Sequence, residues 1–251
     1  MPLRHTKIVA TLGPASSSAE VLGRMIDAGL DVARLNFSHG SADEHRARAK
    51  LVRELALERE RPVGLLGDLQ GPKIRIGKFA QGKITLERGQ KFVLDVHCPV
   101  GDETRVGLDY PDLPRDVRPG DVLLLDDGKI RLQVDYVAGD RIHTTVLVGG
   151  VLSDHKGINR QGGGLSAPAL TAKDMDDIRL AAEIGVDFLA VSFPKNAADI
   201  YMARQLMRAA GGHALIIAKI ERIEAVQNLE EILQASDGIM VARGDLAVEV
   251  G

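Results

Sequence analysis

The sequence predicts an α/β fold: a TIM (β/α)8 barrel, incomplete in this chain, interrupted by an inserted all-β, barrel-like domain. Three observations lead there. Six short apolar runs outside a central region alternate with helical segments, the pattern of βα units that build a parallel sheet. The first run leads into Leu12-Gly13-Pro14-Ala15-Ser16, whereas a doubly wound dinucleotide sheet, the alternative that six strands leave open, has a Gly-x-Gly-x-x-Gly turn there. Polar groups also follow at least four of the runs, where a barrel gathers its active site.

Taken in order, residues 7–12 read as a strand, 19–28 as a helix and 32–37 as a strand. Residues 41–59 form a long charged helix, with Ser41 as N-cap and Glu44 three positions on completing a capping box. The third strand, 63–69, is apolar enough to be buried on both faces. From 74 to about 166 the texture changes. Short runs at 74–76, 83–86, 91–96, 121–125, 130–137 and 141–148, several of them alternating, are separated by turn signals such as Arg88-Gly89, Pro119-Gly120, Asp127-Gly128 and Gly139-Asp140. The βα pattern then resumes with helix 171–184, strand 187–193, helix 196–210, strand 214–220, helix 222–234 and strand 238–242. The expected organisation is a first barrel part at 1–72, an inserted β domain at 73–167, and a second barrel part at 168–251.

Composition narrows the function. The 251 residues are 45% hydrophobic and 27% charged, ordinary for a soluble globular protein. A net charge of −3 offers no bulk electrostatic case for nucleic acid or an anionic membrane. A lone cysteine, Cys98, excludes an intramolecular disulfide and fits a reducing compartment. No apolar run approaches the roughly 18 residues of a membrane span, and the first strand-like run starts too early for a signal peptide. A cytoplasmic protein is expected.

The chemistry gathers at strand ends. Around the second strand, alternation sends Arg34, Asn36 and Ser38 to one side and Leu35 and Phe37 to the other; Arg34 could equally pair with a neighbouring acid. The third strand runs into Asp68-Leu69-Gln70-Gly71-Pro72-Lys73-Ile74-Arg75, acid and base placed where the insert departs. The fifth gives Ala218-Lys219-Ile220-Glu221-Arg222, and the sixth Val241-Ala242-Arg243-Gly244-Asp245. A lysine and two carboxylates held at neighbouring strand ends suit a divalent metal beside a phosphorylated, enolate-forming substrate.

In this order the motifs at 7–16, 33–40, Gly71-Pro72, His155-Lys156-Gly157-Ile158-Asn159, Ala190-Val191-Ser192-Phe193, Lys219-Ile220-Glu221 and 240–246 resemble the pyruvate kinase family over essentially the whole chain. The resemblance implies a barrel with a β-rich lid in its third βα loop. It implies transfer of the phosphoryl group of phosphoenolpyruvate to ADP, giving pyruvate and ATP, with Mg²⁺ or Mn²⁺ as cofactor. Glu221 and Asp245 match the metal ligands. Lys219 matches the lysine that stabilises the transition state, and the backbone N–H groups of Gly244 and Asp245 match those that bind the substrate carboxylate. Arg34 matches a phosphate-binding arginine. Arg75, Lys156 and His39 match the nucleotide site, although each has a plainer reading, as solvated lid charges for the first two and as a capping residue for His39.

Three departures from the family pattern stand out. The monovalent-cation site of many relatives corresponds to Asn36, Ser38, Asp68 and Leu69, with a glutamate at the position of Lys73. Here leucine and lysine occupy the last two, so an ammonium can supply the charge of K⁺ and no K⁺ requirement is expected. Ala247 replaces a common glycine and adds one methyl. Finally, the sequence given stops before the last two barrel strands, the threonine that helps protonate the enolate, and the C-terminal regulatory domain. It therefore reads as a fragment, expected to aggregate, self-associate or lack activity alone, of a full-length form expected to be a homotetramer. The rivals are a Mg²⁺-dependent enolpyruvate lyase or aldolase barrel, and a non-catalytic truncated barrel that binds nucleotide or a partner.

Overall fold

A computed structural model describes residues 5–250. The described residues form two compact units: 5–71 with 169–220 and 228–240, and 72–168 with 221–227 and 241–250.

The first unit opens with β1 (Val9–Thr11), α1 (Ala19–Ala28), β2 (Val32–Asn36), α2 (Ala42–Glu58) and β3 (Gly64–Asp68). The helix boundaries follow from side-chain chemistry. Ser18 Oγ accepts from Val21 N at 3.3 Å to start α1, and Gly29, at φ 115°, ends it in the left-handed conformation that glycine adopts without strain. At α2 the capping box expected from Ser41 and Glu44 forms: Glu44 N donates to Ser41 Oγ at 3.3 Å and Ser41 N to Glu44 Oε2 at 2.7 Å. Along β2, Ala33 and Leu35 are fully buried while Arg34 and Asn36 are half-buried. The period of two thus separates core from chemistry as expected.

The second unit contains β4 (Lys83–Leu86), β5 (Lys91–Asp95), β6 (Arg105–Val106), α3 (Leu113–Asp116), β7 (Val122–Leu125), β8 (Ile130–Ala138), β9 (Arg141–Val148), β10 (Gly150–Ser153) and β11 (Ile158–Arg160). Five of its strands and β6 form a sheet in the order β11-β7-β8-β9-β5-β6, antiparallel except for the β5–β6 pair, and β10 pairs with β4. Its core is aliphatic, built on Leu94, Leu123, Leu132, Ile142 and Leu152 around Phe92. The run at 74–76, expected as a strand, makes only isolated bridges, Arg75 to Gly157 and Ile76 to Leu108.

The chain continues with α4 (Ala172–Glu183), β12 (Phe188–Val191), α5 (Ala197–Ala209), β13 (Leu215–Ile220), α6 (Ile223–Gln227), α7 (Leu229–Ala235), β14 (Gly238–Val241) and α8 (Arg243–Val250). Two expectations are corrected here. The single helix at 222–234 is two helices, because Asn228 leaves helical geometry and its amide donates to Lys195 O at 2.9 Å instead of capping α7. Arg243 and Asp245 lie in the first turn of α8 and not on the sixth strand, which ends at Val241.

The first unit's sheet has the order β1-β2-β3-β12-β13-β14. A doubly wound sheet reverses direction at a switch point. Here every strand adds to the same edge in chain order, as in an α/β barrel. Among the described residues no helix is long and apolar enough to cross a membrane.

Candidate active site

In the first unit, polar side chains converge at the carboxyl ends of five successive sheet strands. Asp68, the last residue of β3, is fully buried. Its Oδ2 accepts from Arg34 Nε of β2 at 2.6 Å, and Arg34 Nη2 lies 2.6 Å from the same oxygen. Its Oδ1 is 3.3 Å from Lys219 Nζ of β13. Lys219 also donates to Ser192 Oγ, just past β12, at 2.8 Å, and Arg34 Nη1 donates to Thr11 Oγ1 at the end of β1 at 2.6 Å. Two cations thus share one acid. The Arg34 and Lys219 side chains keep 25% and 12% of their surface in solvent while Asp68 keeps 1%. Cations held in place by hydrogen bonds in this way have the chemistry to receive an anion.

The sequence nominated Arg34, Asp68 and Lys219 separately, and the fold brings them together. It also adds Thr11 and Ser192, which the sequence reading placed in motifs without a role. Their positions one residue inside or beyond a strand end were the available signal.

At the exit of β2, Asn36 Oδ1 accepts from Ser38 N at 3.1 Å and Asn36 O from His39 N at 3.2 Å. These two residues therefore shape the turn. His39 is exposed at the turn's tip. Behind it, His45 is buried edge-on against Phe37 at a ring separation of 4.8 Å. Burial pushes the His45 pKa down, with the Arg48 charge acting in the same direction. The Leu69 side chain is buried in the core and offers only backbone, its N donating to Ala190 O at 3.0 Å and its O accepting from Ser192 Oγ at 2.7 Å. Gly71, at φ 66°, donates to the buried Asp174 Oδ1 at 3.0 Å.

The second unit holds the remaining candidates. Glu221 is buried, and Asp245 Oδ1 lies 3.8 Å from Lys73 Nζ. The acid that Lys73 reaches within its own unit is thus one of the expected metal ligands. In the first turn of α8, Leu246 N donates to Ala242 O, just ahead of the helix, at 3.0 Å. Gly244 and Asp245 sit before Leu246, where helix N–H groups point outward with no partner within the helix. A Cβ built on Gly244 would meet no atom within 4 Å, so a carboxylate has room to approach. Arg75 Nη1 donates to His155 O at 3.0 Å, and Lys156 Nζ pairs with Asp126 Oδ1 at 2.8 Å. The Lys156 hydrogen bond holds the Asp126 carboxyl below its usual range, helped by Lys129.

Among the described residues no group of three or more His, Cys, Asp or Glu could hold a metal by itself. Glu221 and Asp245 supply two hard carboxylates. Such a donor set fits Mg²⁺, which takes few protein ligands and fills its octahedron with substrate oxygens and water.

Comparison with known proteins decides the family. The family described as pyruvate kinase, barrel domain, matches residues 3–251. The chain belongs to the pyruvate kinase barrel-domain family. It is 55% identical to a pyruvate kinase of Haemophilus influenzae over 254 residues, covering 99% of this chain and 53% of that protein. It is 56% identical to pyruvate kinase II of Salmonella typhimurium with the same coverage. A pyruvate kinase of Thermococcus litoralis is 44% identical over 100% of this chain and 53% of its own length. The chain spans about half the length of the curated relatives it matches. Within the pyruvate kinase family, the strand order and the cationic cluster at the strand ends agree with a TIM-type α/β fold.

Proposed function

We propose that this chain carries the substrate-binding part of a pyruvate kinase, an enzyme that moves the phosphoryl group of phosphoenolpyruvate to ADP. The observation that carries this is the pair Arg34 and Lys219, on β2 and β13, held by the buried Asp68 at the end of β3. In the proposed reaction a terminal ADP oxygen bonds to phosphorus, the bond from phosphorus to the enol oxygen breaks, and that oxygen leaves as an enolate. A proton then adds to its methylene carbon to give pyruvate.

Arg34 binds phosphoryl oxygens with its planar fork. Lys219 places a compact ammonium where negative charge builds on the phosphoryl group and the enolate oxygen. Their attachment to Asp68, Ser192 and Thr11 means neither must reorganise as the charge develops. The N–H groups of Gly244 and Asp245 receive the substrate carboxylate at the start of α8, where the helix dipole adds to the hydrogen bonds. Glu221 and Asp245 would hold the divalent metal, which would supply neutralisation of the substrate's negative charge. Arg75 and Lys156 contact the nucleotide phosphates from the β-rich segment 73–167, proposed as the lid, with His39 at the same nucleotide. Lys73 stands in for K⁺ at the monovalent-cation site that corresponds to Asn36, Ser38, Asp68 and Leu69, removing the monovalent-ion requirement.

Calorimetric titration of phosphoenolpyruvate into the chain tests this. Binding is expected only with Mg²⁺ or Mn²⁺ present, and is expected to disappear in Glu221→Gln and Lys219→Met. Equal binding by all three proteins, or binding indifferent to metal, would overturn the assignment.

A further inference from the structure

We infer that Glu249 is a positioning residue that fixes Glu221 relative to Asp245, an inference resting on the metal-holding role proposed for those two acids. Glu249 is a carboxylate on α8, 2% exposed, and it has no part in the proposed chemistry. Asp245 and Glu249 are four residues apart on α8, so they share a helix face about 6 Å apart along the axis. Glu249 Oε2 accepts from Ile223 N at 3.2 Å. Ile223 follows Glu221 by two residues. One side chain therefore joins the helix that carries one acid to the segment that carries the other.

Neighbouring groups explain how a carboxylate can be buried there. Arg222, 3% exposed, has its Nε 4.0 Å from Glu249 Oε1 and 3.7 Å from Glu224 Oε2. These are ion-pair and not hydrogen-bond separations, and Arg222 Nε and Nη1 have no hydrogen-bond partner among the described residues. The guanidinium therefore offsets charge without directional bonds, while its Nη2 donates to Leu165 O at 3.3 Å. The Ile223 N–H is the directional link. The glycines after β11 close the assembly: Gly164 N donates to Glu224 Oε1 at 2.6 Å and Gly162 N to Glu249 O at 3.2 Å. Burying one acid with its arginine is expensive unless the geometry it imposes is used. Groups that orient ligands from behind are worth about 10- to 100-fold in metal affinity.

The test is Mn²⁺ affinity of the chain, measured from the free-ion electron paramagnetic resonance signal without substrate or turnover. Glu249→Ala and Ile223→Pro are expected to weaken Mn²⁺ binding about 10-fold or more. The second removes the donor N–H at the first position of α6, where proline is tolerated, so it tests the link even if the first folds poorly. Glu249→Gln keeps an acceptor oxygen and is expected to stay within about 3-fold of wild type, since the link and not the charge matters. Leu123→Ala, a core deletion in the same unit, should lower stability and leave Mn²⁺ affinity unchanged. Wild-type affinity in both Glu249→Ala and Ile223→Pro would overturn the inference. So would a Glu249→Gln as damaging as Glu221→Gln, which would make Glu249 a ligand, or an equal loss in Leu123→Ala. A wild-type chain that binds no Mn²⁺ would instead remove the metal reading on which the inference stands.

Discussion

Replacing Asp68 with asparagine isolates the feature on which the proposed phosphate site depends. The substitution preserves shape and one acceptor oxygen but removes the charge shared by Arg34 and Lys219. At an effective dielectric of about 20, unit charges at the observed 2.6 and 3.3 Å attract by about 6 and about 5 kcal/mol respectively. Desolvation of three charged groups cancels most of this, and removing one partner of a buried pair costs about 3–5 kcal/mol. The retained oxygen can still accept from Arg34, so the expected loss is about 2–4 kcal/mol. It would be read from urea unfolding as a lower midpoint at unchanged slope. Arg34→Met leaves Asp68 and Lys219 balanced and should cost less. The double variant should lose less than the sum, because the second change removes the cation that the first had stranded. Inorganic phosphate should stabilise Asp68→Asn more than wild type, since it supplies the missing negative charge. A loss below about 0.5 kcal/mol in Asp68→Asn, the range of ordinary surface substitutions, would refute the reasoning. Equal losses in Asp68→Asn and Arg34→Met would refute it too.

Other outcomes follow from individual positions. Leu35→Ala removes a fully buried side chain behind Arg34 and should cost about 2–5 kcal/mol in urea unfolding. Gly71→Ala should destabilise by at least about 1 kcal/mol from its left-handed backbone alone. It should lose more because the new Cβ would lie 2.8 Å from Ser192 Cβ and 2.9 Å from Phe193 Cδ2. His45 has its pKa lowered from 6.5 in the folded state, so the stability it contributes is present above pH 6.5 and is lost as pH falls through the folded value. Unfolding free energy should therefore drop on acidification below that point, and His45→Gln should flatten this limb. Lys73→Glu should make phosphoenolpyruvate binding depend on K⁺, while wild-type binding should be the same in potassium and tetramethylammonium chloride. A wild-type chain that needs K⁺ would contradict the role given to Lys73.

Where a single element decided the outcome, the sequence was a good guide. The alternation of β2, the Ser41 capping box and the apolar β3 could each be read locally, because propensity and periodicity act over a few residues. The parallel sheet's order agreed with the barrel preference drawn from the Gly13-Pro14 turn. The short β6, β10, β11 and α3 were not legible, since two to four residues are too few to show a period. The break at Asn228 was hidden because it depends on a carbonyl 33 positions away, at Lys195. Arg243 and Asp245 were read as following the 238–242 strand, but that they open a helix was not legible, since α8 begins only two residues after Val241. For the site, motif order nominated Arg34, Asp68 and Lys219, but that one carboxylate grips both cations depends on where β3 falls between β2 and β12. Glu249 was invisible to sequence reasoning, as an acid near a helix end looks like any solvated charge until its burial is known.

The proposed function requires Arg34, Lys219, Glu221 and Asp245 to act on one substrate. Relaxation of the phosphorus nucleus of phosphoenolpyruvate by Mn²⁺ bound to the chain tests it most directly. Strong paramagnetic broadening that vanishes in Glu221→Gln and weakens in Lys219→Met is the predicted result. Bound Mn²⁺ that leaves the phosphorus signal of bound substrate sharp would contradict it.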